Sequence, residues 1–235
     1  MSERVGHRVG PPAPLGILGG TFDPVHIAHL RLAIEAREAL GLSAVRLIPA
    51  GAPPLRPAPH ATARQRLAMV ECAIAAQPGF SIDTGELMAD SPSYTVATLE
   101  RLRAELGPDQ SLVLLVGADA FARLEAWHRW RELFALTHIA VATRPGHATK
   151  VPKDAERSAG DTELDREMRA RQGEPSDLTN APAGRIVPFT ITPLEISATA
   201  IRERLGRGAD VRHLVPDRVL DYIDLTQLYR NSYGH

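Results

Sequence analysis

A chain of 235 residues, 44% hydrophobic and 23% charged, has an ordinary globular composition and length enough for one large domain. Its formal net charge of -1 excludes a global field that would gather nucleic acid or anionic lipid, so any anion site must be local. The single cysteine, Cys72, excludes an intrachain disulfide framework or a thiolate metal cluster. No apolar run approaches the ~20 residues of a membrane span and none near the N-terminus suits a signal peptide, so a cytoplasmic protein is expected.

Residues 1–14 read as a flexible leader to one domain over 15–235. Leu15, Ile17 and Leu18 form a short apolar run ending at Gly19-Gly20, and apolar positions at Leu30, Ala33, Ile34 and Leu40 then predict a helix closed by Gly41. Val45 to Ile48 predicts a second strand ending at Pro49, and a Pro-rich loop leads to a helix near Ala63 to Ala76. Phe80 to Asp83 suits a short edge strand, and Val96, Leu99, Leu102 and Leu106 mark a helix starting near Ser93. Leu112 to Val116, five consecutive apolar residues, fits a parallel strand buried on both faces. Ile139 to Ala142 and Arg185 to Phe189 add two more strands, and the polar stretch 147–184 between them reads as a surface insertion. Helices near Ala198 to Leu205 and Pro216 to Asp224 close the chain. Alternating strands and helices at these spacings predict an α/β fold with a parallel sheet covered by helices on both faces.

In such a sheet the ligand crevice lies beyond the carboxyl ends of the strands, which puts Gly19-Gly20-Thr21-Phe22-Asp23-Pro24 where a substrate is expected. His26 and His29, three residues apart at the following helix start, share one face. Free backbone N–H groups and the positive helix end would attract an anion there, and both imidazoles could donate to it. The turn lacks G-x-G-x-x-G, which weakens a dinucleotide-redox reading. It also lacks G-x-x-x-x-G-K-[ST], and the only lysines, Lys150 and Lys153, lie far away. No H-E-x-x-H pattern or third ligand accompanies the histidines, so no protein metal site is expected.

Gly19 to His29 resembles the signature of the nucleotidyltransferase superfamily whose ATP motif is written H/T-x-G-H, with Ala28 in place of the glycine. Ile196-Ser197-Ala198-Thr199-Ala200-Ile201-Arg202 reads by itself as a capped helix start, and it resembles the I-S-x-T-x-I-R motif of the same superfamily. The resemblance implies a Rossmann-like, doubly wound fold and direct attack on the ATP α-phosphate. It implies catalytic roles for His26, His29 and Arg202, and ATP contacts from Gly19, Gly20, Thr21, Phe22, Arg56, Ser197 and Thr199. Mg²⁺ is expected to arrive on the triphosphate's own oxygens.

Ser93-Tyr94-Thr95, Gly117-Ala118-Asp119 and Trp127 narrow the acceptor, because with the other motifs they resemble the bacterial nicotinate-nucleotide adenylyltransferases from about Leu15 to Arg230. That resemblance implies ATP and nicotinate mononucleotide as the partners, with Asp23, Thr95, Asp119, Trp127, His128 and Arg144 as mononucleotide contacts. A flat heteroaromatic ring suits an indole face, and a carboxylate suits the N–H groups of a helix start. Leu55, where relatives commonly carry histidine, and His128, where a tyrosine is frequent, depart from the pattern. An adenylyltransferase using nicotinamide mononucleotide or phosphopantetheine is the nearer alternative, and a nucleotide-binding sensor without turnover the more distant one. Nucleic acid and membrane partners are not expected, and the sequence leaves a homo-oligomer open.

Overall fold

The computed structural model describes residues 13–55, 57–89, 91–143 and 162–230. The first apolar run is β1 (Leu15–Gly20), followed by α1 (Ile27–Ala39), β2 (Ala44–Pro49), α2 (Ala63–Ile74), β3 (Phe80–Ile82) and α3 (Thr95–Leu106). Next come β4 (Leu112–Gly117), the short helices α4 (Ala118–Phe121) and α5 (Leu133–Leu136), and β5 (His138–Thr143). After α6 (Glu163–Arg171), β6 (Ile186–Thr190), α7 (Ala198–Gly206) and α8 (Asp217–Thr226) complete the order.

All strand pairs are parallel, in one six-stranded sheet of order β3-β2-β1-β4-β5-β6. Side chains alternate across a strand, so the apolar run of β4 must be covered on both sides. Val113 and Leu115 pack with Leu18, Leu47 and apolar residues of α1, α2, α7 and α8. Leu112, Leu114 and Val116 face the other way, against α3, α5, α6 and Trp130. The result is the doubly wound α/β architecture that the strand and helix spacings predict.

Strand order reverses between β1 and β4. The β1–β4 ladder runs from Leu15↔Leu112 to Ile17↔Leu114, whereas β1 stays paired with β2 as far as Gly20↔Pro49. Beyond Ile17 and Leu114 the two central strands part. A crevice at such a switch point is where open parallel sheets bind ligands.

α3 begins beside Ser93, as its apolar spacing predicts, with Tyr94 as the N-cap, and the Ser93 hydroxyl accepts from the backbone N–H of Gly51 and Ala52 at 2.9 and 3.2 Å. The stretch read as a polar excursion contains α6, begun by a reciprocal cap between Thr162 and Asp165, with Leu164 and Met168 buried. Few apolar residues mark that helix, and only its docking against the second core face reveals them. Buried His138 fastens the end of the same stretch, with Nδ1 accepting from Arg185 N at 3.1 Å and Nε2 2.8 Å from Ala181 O.

Candidate active site

The glycine turn leaves β1 at the open end of the crevice. A side chain at Gly19 would meet nothing, so the backbone there is approachable. At Gly20 a Cβ would stand 2.8 Å from the Phe22 ring, which is buried beneath the turn and held at a left-handed φ of +50°. Phe22 meets His29 edge-on at 5.1 Å, and His29 stacks on His26 with ring centroids 3.7 Å apart. The predicted sharing of one face by these histidines is thus realised as ring against ring.

The chemistry of the pair follows from its surroundings. His29 Nδ1 accepts from the His26 backbone N–H at 3.2 Å, which places the His29 ring proton on Nε2 in the neutral tautomer. His26 is 6% exposed, its Nδ1 has no hydrogen-bond partner among the described residues, and burial pushes its pKa down to about 4. It is therefore neutral near pH 7 and offers dipoles rather than a full charge. One expectation is narrowed: two of the amides at this helix start are engaged, since His26 N donates to His29 Nδ1 and Ile27 N donates to Leu214 O at 3.0 Å. Ring nitrogens, and not those two amides, are what the start of α1 presents. Ala28 sits half-buried in the first turn of the helix.

α7 brings the second motif to the same place. Ser197 caps the helix by accepting from Ala200 N at 3.2 Å, and its hydroxyl proton remains available to another acceptor. Arg202 Nη2 donates to Thr199 Oγ1 at 3.3 Å, and Nη1 donates to the Asp23 carbonyl at 2.7 Å. That last contact joins residues 179 apart in sequence, so the glycine turn and the serine-threonine-arginine helix start meet at one crevice.

Asp23 is not an open mononucleotide acceptor as the resemblance suggested. It is 4% exposed, and its oxygens already accept from His60 N at 2.7 Å, Ala61 N at 3.1 Å and the Tyr229 hydroxyl at 2.6 Å. Arg66, another residue the sequence reading missed, is 1% exposed and donates to the carbonyls of Thr21, Ala50 and Gly51 at 2.8, 2.6 and 3.3 Å. Burial lowers its pKa, and the nearby Asp23 carboxylate and Tyr229 oppose that shift. A signal did exist: Arg66 occupies the buried stripe of α2 with Met69, Val70 and Ala73, where a charge belongs only if it has partners. Tyr229, beyond α8, carries no comparable mark.

Across the crevice, Asp119 is exposed in the first turn of α4, directly after β4. Thr95 begins α3, and its neighbour Tyr94 packs on His128 with ring centroids 4.3 Å apart. Trp130 is the buried core anchor, whereas Trp127 is only partly covered. Arg129 follows at a left-handed φ of +53°, paired with Glu100 of α3 at 2.7 Å and with Glu132 at 2.5 Å. Leu55 is 64% exposed on the β2–α2 loop. Arg56 and Arg144 lie outside the described residues.

Against known proteins, residues 17–204 match the cytidylyltransferase-like family model. The chain belongs to that family. It is 55% identical over 219 residues to a protein of Dechloromonas aromatica named "Probable nicotinate-nucleotide adenylyltransferase", covering 93% of this chain and 99% of that one. A Pseudomonas fluorescens protein of the same name is 49% identical, with 92% and 97% coverage. The fold is similar to that of Plasmodium falciparum nicotinic acid mononucleotide adenylyltransferase complexed with NaAD, at a TM-score of 0.64 and 16% identity, over 92% of this chain and 97% of that one. The cytidylyltransferase-like match takes in both motifs and stops short of Tyr229.

Proposed function

We propose that this cytidylyltransferase-like enzyme transfers the adenylyl group of ATP to nicotinate mononucleotide, forming deamido-NAD and pyrophosphate, as a cytoplasmic step of NAD biosynthesis. The observation that carries the reading is the 2.7 Å contact from Arg202 to the Asp23 carbonyl, because it sets both phosphate-binding motifs at one crevice. The acceptor rests on the names of the relatives, supported by the partly covered Trp127 and by the Tyr94–His128 pair beside the start of α3.

In this reading an oxygen of the mononucleotide 5′-phosphate attacks the α-phosphorus of ATP. The new P–O bond forms as the bond to the β-phosphoryl oxygen breaks, and pyrophosphate leaves with the electron pair. His29 Nε2–H and the neutral His26 ring donate toward the α-phosphoryl oxygens. Arg202, Ser197 and Thr199 meet the charge gathering on the leaving pyrophosphate. Thr95, Asp119, Trp127 and His128 hold the mononucleotide, and of the two arginines outside the described residues Arg144 is assigned to the mononucleotide and Arg56 to the triphosphate. Among the described residues no group of three or more His, Cys, Asp or Glu is placed to hold a metal. Mg²⁺ is assigned to the triphosphate oxygens and waters, where it neutralises charge.

Purified protein with Mg-ATP and nicotinate mononucleotide should release pyrophosphate. A kcat/KM for nicotinamide mononucleotide or phosphopantetheine equal to or above that for nicotinate mononucleotide would overturn the acceptor, since a carboxylate site rejects a neutral amide strongly. ATP binding in calorimetry without turnover on any acceptor would favour a sensor instead.

A further inference from the structure

Asp23 lies between Gly20 and His26, yet one of the three hydrogen bonds to its carboxylate comes from the far end of the chain. Beyond α8 the backbone passes Gln227 and Tyr229 in the left-handed region, at φ +52° and +61°. Residues with side chains hold such conformations only where tertiary contacts secure them. This reversal returns the Tyr229 ring to the core face shared by α2 and α8, beside Met69, and aims its hydroxyl at Asp23 Oδ1.

Arg202 reaches the same aspartate from α7, but in an unusual way. Its Nη1 donates to the backbone carbonyl and stays 3.9 Å from Oδ2. A guanidinium beside a carboxylate ordinarily closes to a short, often bidentate contact. Here both oxygens already accept: Oδ1 from Tyr229 and Ala61 N, Oδ2 from His60 N. Tyr229 is the one side-chain donor in this set, and it anchors Oδ1, the oxygen turned away from the one Arg202 approaches.

We infer that Tyr229 is a positioning residue for adenylyl transfer: by donating to Asp23 Oδ1 it holds the carboxylate in the orientation that leaves Oδ2 3.9 Å from Arg202, whose guanidinium then stays available to the triphosphate. The inference rests on the assignment of Arg202 to the triphosphate made above. Burial, then the hydrogen bond to Asp23, raises the Tyr229 pKa, so the phenol remains a donor across the working pH range. Nearby Arg66 balances the aspartate charge through space while its own donors serve backbone carbonyls.

Tyr229→Phe keeps the ring and removes only the hydroxyl that anchors Oδ1. The expected result is a fall of about tenfold in kcat/KM for ATP, with the mononucleotide KM changed by less than about twofold. Combined with Arg202→Ala, the same substitution should cost nothing further, because Tyr229 acts through Arg202. Losses that multiply in the double variant, or an equal effect on both substrates, would show a merely structural role and overturn the inference. Binding of a non-hydrolysable ATP analogue, followed by calorimetry at low temperature on variants shown to be folded by circular dichroism, gives the same cycle without turnover. Unchanged affinity in folded Tyr229→Phe overturns the inference as well. Wild-type protein that binds the analogue but transfers nothing to nicotinate mononucleotide defeats the proposed reaction, while the binding cycle still decides the role of Tyr229.

Discussion

The two walls of the crevice are built on different physics. On the ATP side, residues scattered along the whole chain converge through buried contacts: Asp23 with Tyr229, Ala61 and His60, Arg66 with three carbonyls, Arg202 with the Asp23 backbone. On the side assigned to the acceptor, Trp130 anchors the segment in the core, but the residues offered to the crevice meet α3 only by one exposed ion pair, Arg129 to Glu100, and by one tilted ring contact, Tyr94 with His128. Buried charged networks are costly to disturb, whereas exposed pairs are screened and weak. The wall assigned to transition-state charge is therefore set before substrate arrives, and the wall assigned to the acceptor can adjust.

If that contrast is right, damage to the ATP wall should appear in kcat and in stability, and damage to the acceptor wall in one KM. His29→Ala should give the largest effect, a fall in kcat of about a thousandfold with mononucleotide binding nearly unchanged, read by steady-state kinetics and calorimetry. Equal losses in both would break the comparison. Arg66→Met strands three carbonyls and leaves Asp23 with one cation fewer, and urea denaturation should show about 3 to 5 kcal/mol of lost stability.

A pH titration of stability probes the same wall without mutation. Burial holds the folded pKa of His26 at about 4, below the ordinary imidazole value of 6.5, so the unfolded chain takes up the proton first. Its contribution is present in full above about pH 6.5 and is lost as pH falls toward 4, by on the order of 3 kcal/mol. Denaturation midpoints across that window should decline in wild type and decline less in His26→Gln. Trp127→Ala should then raise the mononucleotide KM about tenfold with kcat nearly constant, since stacking serves ground and transition states alike. Arg129→Ala should be the mildest change, with a thermal midpoint hardly moved and any rise in mononucleotide KM fading at high salt. A large loss of stability in that variant would erase the distinction between the walls.

Local order in the chain was enough to settle the fold class. The unbroken apolar run of β4, the glycine-terminated run of β1 and the 3.6-residue stripes of α2 and α3 each prescribe an element from short-range pattern alone. Both motifs were readable because their residues lie within a few positions of one another and a helix start must satisfy its own ends. Tertiary packing decided the rest. Only in the folded chain does Asp23 become buried and saturated, do the His26 and Ile27 amides find partners, and does the Ser93 hydroxyl reach the Gly51 loop. Arg66 and Tyr229 belong to the site through contacts 45 and 206 residues away in sequence. Hydrogen bonds of that span are chosen by which faces the sheet and helices bring together, and no local spacing encodes them.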